Sequence, residues 1–110
     1  MVRRELEQAI EGLRSLPESL TGSSLRPDLW RILERLEYAA FILSIGFGLM
    51  DYEPDYSVLE GPVDKDDPSE LARLLDRCLE ALDRDEPRIC YDGVKALVKL
   101  LGSLIGRHGK

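Results

Sequence analysis

Histidine occurs once, at His108, asparagine does not occur, and Gln8 is the only glutamine. A single histidine excludes the Glu-x-x-His pairs of carboxylate-bridged di-iron bundles, a His-rich zinc site and a positioned His base. The two cysteines, Cys78 and Cys90, are too few for a disulfide framework and lack metal-ligand spacing. The longest uncharged run, Tyr38 to Met50, falls short of the roughly 20 residues that a bilayer requires. The charged start, Met1-Val2-Arg3-Arg4-Glu5-Leu6-Glu7, leads into no apolar signal region. These absences predict a cytoplasmic chain with no membrane partner. The near-absence of amides, with Arg outnumbering Lys eleven to four, points to a thermophilic source or to a GC-rich genome that biases codons the same way.

What is present suits one globular domain. The 110 residues are 44% hydrophobic and 33% charged, enough for a single core and too apolar for disorder. The net charge of −6 is split along the chain. From Arg88 onward Arg88, Lys95, Lys99, Arg107 and Lys110 face only Asp92, a local +4 against −10 in residues 1–87. An acidic body repels nucleic acid and anionic lipid, whereas a local basic strip can attract either.

Apolar residues recur at spacings of three and four in four segments, the pattern of amphipathic helices. Val2, Leu6, Ala9/Ile10, Leu13 and Leu16 mark the first, which Pro17 ends. The second, predicted from Arg26 to Tyr52, carries Leu29, Leu33, Leu36, Ala40, Leu43, Phe47 and Met50 in a 4-3-4-3-4-3 seam. Its latter half has no charge on any side and so requires burial on every face. Residues 53–67 read as an acidic loop, with Val58 and Leu59 as anchors to the body. Asp67-Pro68-Ser69-Glu70 is a helix start with Asp as N-cap, Pro at N1 and Glu reaching back. Leu71, Leu75, Cys78 and Leu82 follow on a third seam. Asp85-Glu86-Pro87 turns into a fourth, Cys90, Val94, Leu97, Leu101 and Leu104, and so short a turn makes an antiparallel hairpin. The predicted fold is all-α, a four-helix bundle, mostly antiparallel, with a long central second helix; residues 1–106 form the domain and 107–110 a basic flexible tail.

Few residues suggest chemistry. Both cysteines occupy seam positions and are expected to fill the core unpaired, since their offset along the hairpin places the Cα atoms beyond the disulfide limit of about 7 Å. Asp64-x-Asp66 lacks the glycine and the final Glu of a calcium loop. Glu34-x-x-Glu37 and Glu80-x-x-Asp83 lie beside apolar seams and form an alternative Mg²⁺ site if the second and third helices are neighbours. That layout is similar to the all-α nucleotide pyrophosphohydrolases, and the resemblance implies Mg²⁺-dependent hydrolysis; Arg31, Arg35, Arg77 and Arg84 offer these same acids surface ion pairs instead.

Arg88, Lys95 and Lys99 share one face of the fourth helix, a strip for phosphate or an acidic partner, with Glu80 and Asp83 as candidate internal neutralisers. An Arg and then a Tyr near the start of a late helix resembles the HEPN group of helical RNases and their inactive relatives. The Arg-x(4–6)-His motif of that group is absent, so the resemblance implies at most an inactive, RNA-associated relative. Ala40, Ser44 and Gly48 form a small-residue strip with Phe47 beside it, an interface for a second copy or another protein. The leading expectation is a non-enzymatic oligomerisation or protein-interaction module that needs no cofactor.

Overall fold

The predicted seams become buried stripes. In a computed structural model that describes residues 2–16, 26–59 and 67–108, four helices form an all-α bundle: α1 Val2–Arg14, α2 Arg26–Gly46, α3 Pro68–Asp83 and α4 Pro87–His108. Leu6 and Leu13 of α1, Leu29, Leu36 and Leu43 of α2, Leu71 and Leu75 of α3, and Val94, Leu97 and Leu101 of α4 are fully buried in one core. Asp67 caps α3 as expected, its carboxylate accepting the Ser69 amide at 2.9 Å, while Glu70 turns to Arg73. No helix among the described residues is long and apolar enough to cross a membrane.

Contacts between helix ends give the directions. Arg35 on α2 meets Glu5 at 3.4 Å and Gln8, whereas Ser15 and Leu16 lie beside Asp28 and Arg31, so α1 and α2 are antiparallel. Arg3 pairs with Asp83 and Arg14 with Asp76 at 2.6 Å, so α1 and α3 are antiparallel too. The short turn opposes α4 to α3, and the end of α2 lies beside the start of α4. The order around the bundle is therefore α1, α2, α4, α3, with α2 and α3 diagonal and parallel. This accounts for the length of the segment between them. A chain leaving the end of α2 must travel back along the bundle before α3 can start, as in bundles with a crossover connection. Part of that crossover is a 3-10 turn, Tyr56–Leu59, packed on α4.

Two helix ends differ from simple seam reading. The α2 helix stops at Gly46, short of Tyr52, because Gly48 adopts a left-handed φ of 66° and the Leu49 amide turns back to the Ser44 carbonyl at 2.8 Å. This is a Schellman-type stop. It buries Leu49 and leaves Phe47 and Met50, the last two residues of the predicted seam, exposed. The end of α3 repeats the device with Asp85 at φ 63°, the Glu86 amide bonding to Ala81 at 2.8 Å and the Asp85 amide to Leu82 at 3.1 Å. At the other terminus, α4 continues to His108, through two residues of the predicted tail.

Cys78 and Cys90 are free and buried. Cys78 packs across the α3–α4 contact against Gly93, which leaves room for its sulfur. A Cβ at Gly93 would overlap Cys78 Sγ. The neighbouring Cys90 and burial push the Cys78 thiol far above its ordinary range.

Candidate functional site

The uncharged half of α2 divides into two faces. Ala40 and Ser44, the first members of the small-residue strip, are only 6% and 7% exposed, and Ser44 Oγ donates to the Phe41 carbonyl at 2.8 Å. They line a groove of about 360 Å³ between α2 and α4, together with Glu37, Phe41, Tyr91, Lys95 and Val98. Gly48 lies beyond the helix and does not continue the strip. The outward ridge is one position away: Tyr38, Phe41 and Ile45 are 51%, 57% and 59% exposed. Phe47, half exposed, and Met50, 70% exposed, extend the apolar surface at the same end of the bundle. Their 38-41-45 spacing repeats on the outside the three-four rhythm that the core seam uses inside, so α2 has two apolar stripes. Trp30, two turns before Tyr38, is also half exposed.

The basic strip is already covered in part. The Arg88 guanidinium carbon lies 5.5 Å from the centre of the Tyr52 ring, and Lys99 Nζ lies 4.6 Å from that of Tyr56, both cation–π distances. Asp92, the lone acid of α4, accepts the Tyr52 hydroxyl at 2.9 Å and the Asp55 amide at 3.0 Å. Tyr52 and Tyr91 rings sit 6.1 Å apart and tilted. The hydrogen bond to Asp92 and partial burial raise the Tyr52 phenol above its ordinary range, whereas hydrogen bonds from Ser57 lower the Asp55 carboxyl. The expected neutralisation by Glu80 and Asp83 is replaced by this contact with the crossover. The strip lies off the Cys90–Leu101 seam, away from α3, and Asp83 is taken by Arg3 on α1. Lys95 lies between them, in the α2–α4 groove with Glu37. Sequence reading missed Tyr52, Tyr56 and Asp92; the signal was two tyrosines four apart in the connector after α2 and, on the last helix, Arg88, Lys95 and Lys99 with Asp92 as the one acid beside them.

The carboxylate pairs are not brought together. Glu34 and Glu37 are exposed on α2, Glu80 and Asp83 on α3, and those two helices are diagonal across the bundle. Among the described residues no three His, Cys, Asp or Glu side chains gather as metal ligands. Glu60, Asp64 and Asp66 of the acidic loop, and the side chains of Val58, Leu59, Arg107 and His108, lie outside the described residues.

Comparison with protein-family models, curated proteins and solved structures finds no match for this chain.

Proposed function

We propose that this chain is a non-enzymatic helical module, acting in the cytoplasm, that works by docking on protein through the outer face of α2. The observation that carries this reading is the ridge of Tyr38, Phe41 and Ile45, continued by Phe47 and Met50 and more than half exposed at most positions. Half-exposed side chains of this size, at about 150–250 Å² per aromatic, leave on the order of 500 Å² of apolar surface together. Soluble monomers rarely expose more than a few hundred Å² in one patch, and larger ones are generally interaction surfaces. The four carboxylates that a Mg²⁺ hydrolase would need lie on separated helices. Of the three cations that phosphate binding would use, two rest against tyrosines of the chain's own crossover. Both features favour docking on protein over the hydrolase and RNA alternatives.

A photo-crosslinking amino acid placed at Phe41 tests the reading, with the same group at exposed Glu80 on the other side of the bundle as control. Protein adducts in cells from position 41 and not from position 80 are expected. Equal yields from the two positions would refute a docking role for this face.

A further inference from the structure

Resting on that reading, we infer that the occupant of the α2 face is a second copy of this chain, packed about a two-fold axis. Three observations on this face point to it.

The first is area. A stable interface buries about 800 Å² per partner, rather more than half of it apolar. The roughly 500 Å² of apolar surface on this ridge fits one side of such an interface. A short peptide or a single inserted side chain would leave most of it in water.

The second is shape. A ridge and a groove lie side by side on the same surface. Phe41 and Ile45 stand out from α2, and next to them the α2–α4 groove has a floor lowered by Ala40 and Ser44. Ridges fit into grooves when helices pack. A face holding one of each is complementary to itself under a two-fold rotation, the operation of an isologous dimer. The small residues predicted as an interface thus act as the floor of the hollow, with Phe41 or Ile45 of the other copy as the occupant.

The third is charge. Two copies of a chain of net charge −6 repel at long range. The ridge, however, carries no charge, and the groove holds one charge of each sign, Glu37 on α2 and Lys95 on α4. A two-fold axis passing between these two residues would bring Glu37 of each copy toward Lys95 of the other. An acidic or a basic partner would match only one of the two.

Multi-angle light scattering on the purified full chain, from sub-micromolar to hundreds of micromolar, tests the inference. The expected mass at the upper end is twice the 12.4 kDa of one chain, falling on dilution. Phe41→Glu and Ile45→Glu, both at sites exposed in the single chain, should keep the helical circular dichroism and weaken association on the order of 100-fold each, since each would bury a charge. Glu80→Lys should leave the mass unchanged. A mass of one chain throughout would overturn the inference, and so would a dimer indifferent to both acidic variants. If one chain only is seen while position 41 still crosslinks to other proteins, the docking reading stands and the second copy is excluded. Loss of those adducts as well would remove both.

Discussion

Substitution of Gly93 by alanine puts the packing between α3 and α4 to a quantitative test. In an exposed helix interior the change is favourable by about 1 kcal/mol, because glycine loses more backbone entropy than alanine. At Gly93 the new methyl would overlap Cys78 Sγ. The sulfur has little room to retreat. It hangs on a single χ1 torsion whose gauche-plus rotamer is disfavoured in a helix, and the side chain is only 3% exposed. Overpacking a core by one or two groups costs about 1–3 kcal/mol, and a clash this direct belongs in the upper half of that range. The net expectation is a loss of about 1–2 kcal/mol, or a melting temperature lower by about 4–12 °C for a domain of this size. Urea unfolding followed by circular dichroism should show a lower midpoint with an unchanged slope. Cys78→Ala alone should cost about 1 kcal/mol for the vacated sulfur. In the double variant the methyl introduced at position 93 moves into that space, so the two losses should fall short of additivity by at least about 1 kcal/mol. A Gly93→Ala protein as stable as the parent, or strict additivity in the cycle, would refute the close approach.

Asp85 holds a left-handed φ of 63° at the position where a Schellman stop favours glycine, so Asp85→Gly should stabilise the hairpin by about 0.5–1 kcal/mol in thermal melts; an unchanged or lower midpoint would count against strain there. The Tyr52 phenol is raised above its ordinary value of 10.0, chiefly by its hydrogen bond to Asp92, so the folded chain holds this proton more tightly than the unfolded one. The stability from that contact is complete below pH 10 and is lost as pH rises through the raised value. Ultraviolet difference titration should show a phenol step above pH 10 that Tyr52→Phe removes; a parent and a Tyr52→Phe variant that differ by a step at or below pH 10 would contradict it. With Arg88 and Lys99 engaged by tyrosines, fluorescence anisotropy of a labelled single-stranded RNA at low salt should show no saturable binding. Micromolar binding that weakens with salt and is lost in Lys95→Glu/Lys99→Glu would instead promote the RNA reading.

The core was legible because one period ran through it. Leu29 to Leu43 and Cys90 to Leu101 are buried as their three-four spacing predicts. The period failed where local backbone geometry decides. Phe47 and Met50 continue the α2 rhythm perfectly, yet Gly48 in the left-handed region ends the helix before either reaches the core. Ala40 and Ser44 stand out in the sequence by their size, but size alone does not say which side of a helix meets solvent; the outer ridge is set one position along, at Phe41 and Ile45. Neither the diagonal placement of α2 and α3 nor the contact of Tyr52 and Tyr56 with α4 is encoded locally. Both depend on how all four helices pack together.

That topology also bears on why the α2 face is bare. In a four-helix ring every helix has an outer face, and the other three are accounted for. The outer positions of α1 and α3 are charged, with Arg3, Glu7 and Arg14 on one and Arg73, Glu80 and Asp83 on the other. The described part of the crossover, up to residue 59, packs on α4, with Tyr52 and Tyr56 resting against its cations. A crossover long enough to travel the bundle had a choice of routes. One over α2 would have buried Tyr38, Phe41 and Ile45 and left only a charged strip, which water solvates well, uncovered. The described part of the crossover does the reverse: Tyr52 and Tyr56 rest on the charged strip, while Tyr38, Phe41 and Ile45 stay exposed. Half-exposed residues such as Phe41 and Ile45 add little to the stability of the single chain, where surface changes generally stay within about 0.5 kcal/mol. If their role were confined to folding, serine at both positions would be nearly neutral in every assay. Under the dimer proposal the same Phe41→Ser/Ile45→Ser variant should melt within about 3 °C of the parent when both are dilute. At high concentration it should fall behind, because only the parent gains stability from association. Equal melting temperatures at both concentrations would mean that the ridge is covered by nothing this chain supplies.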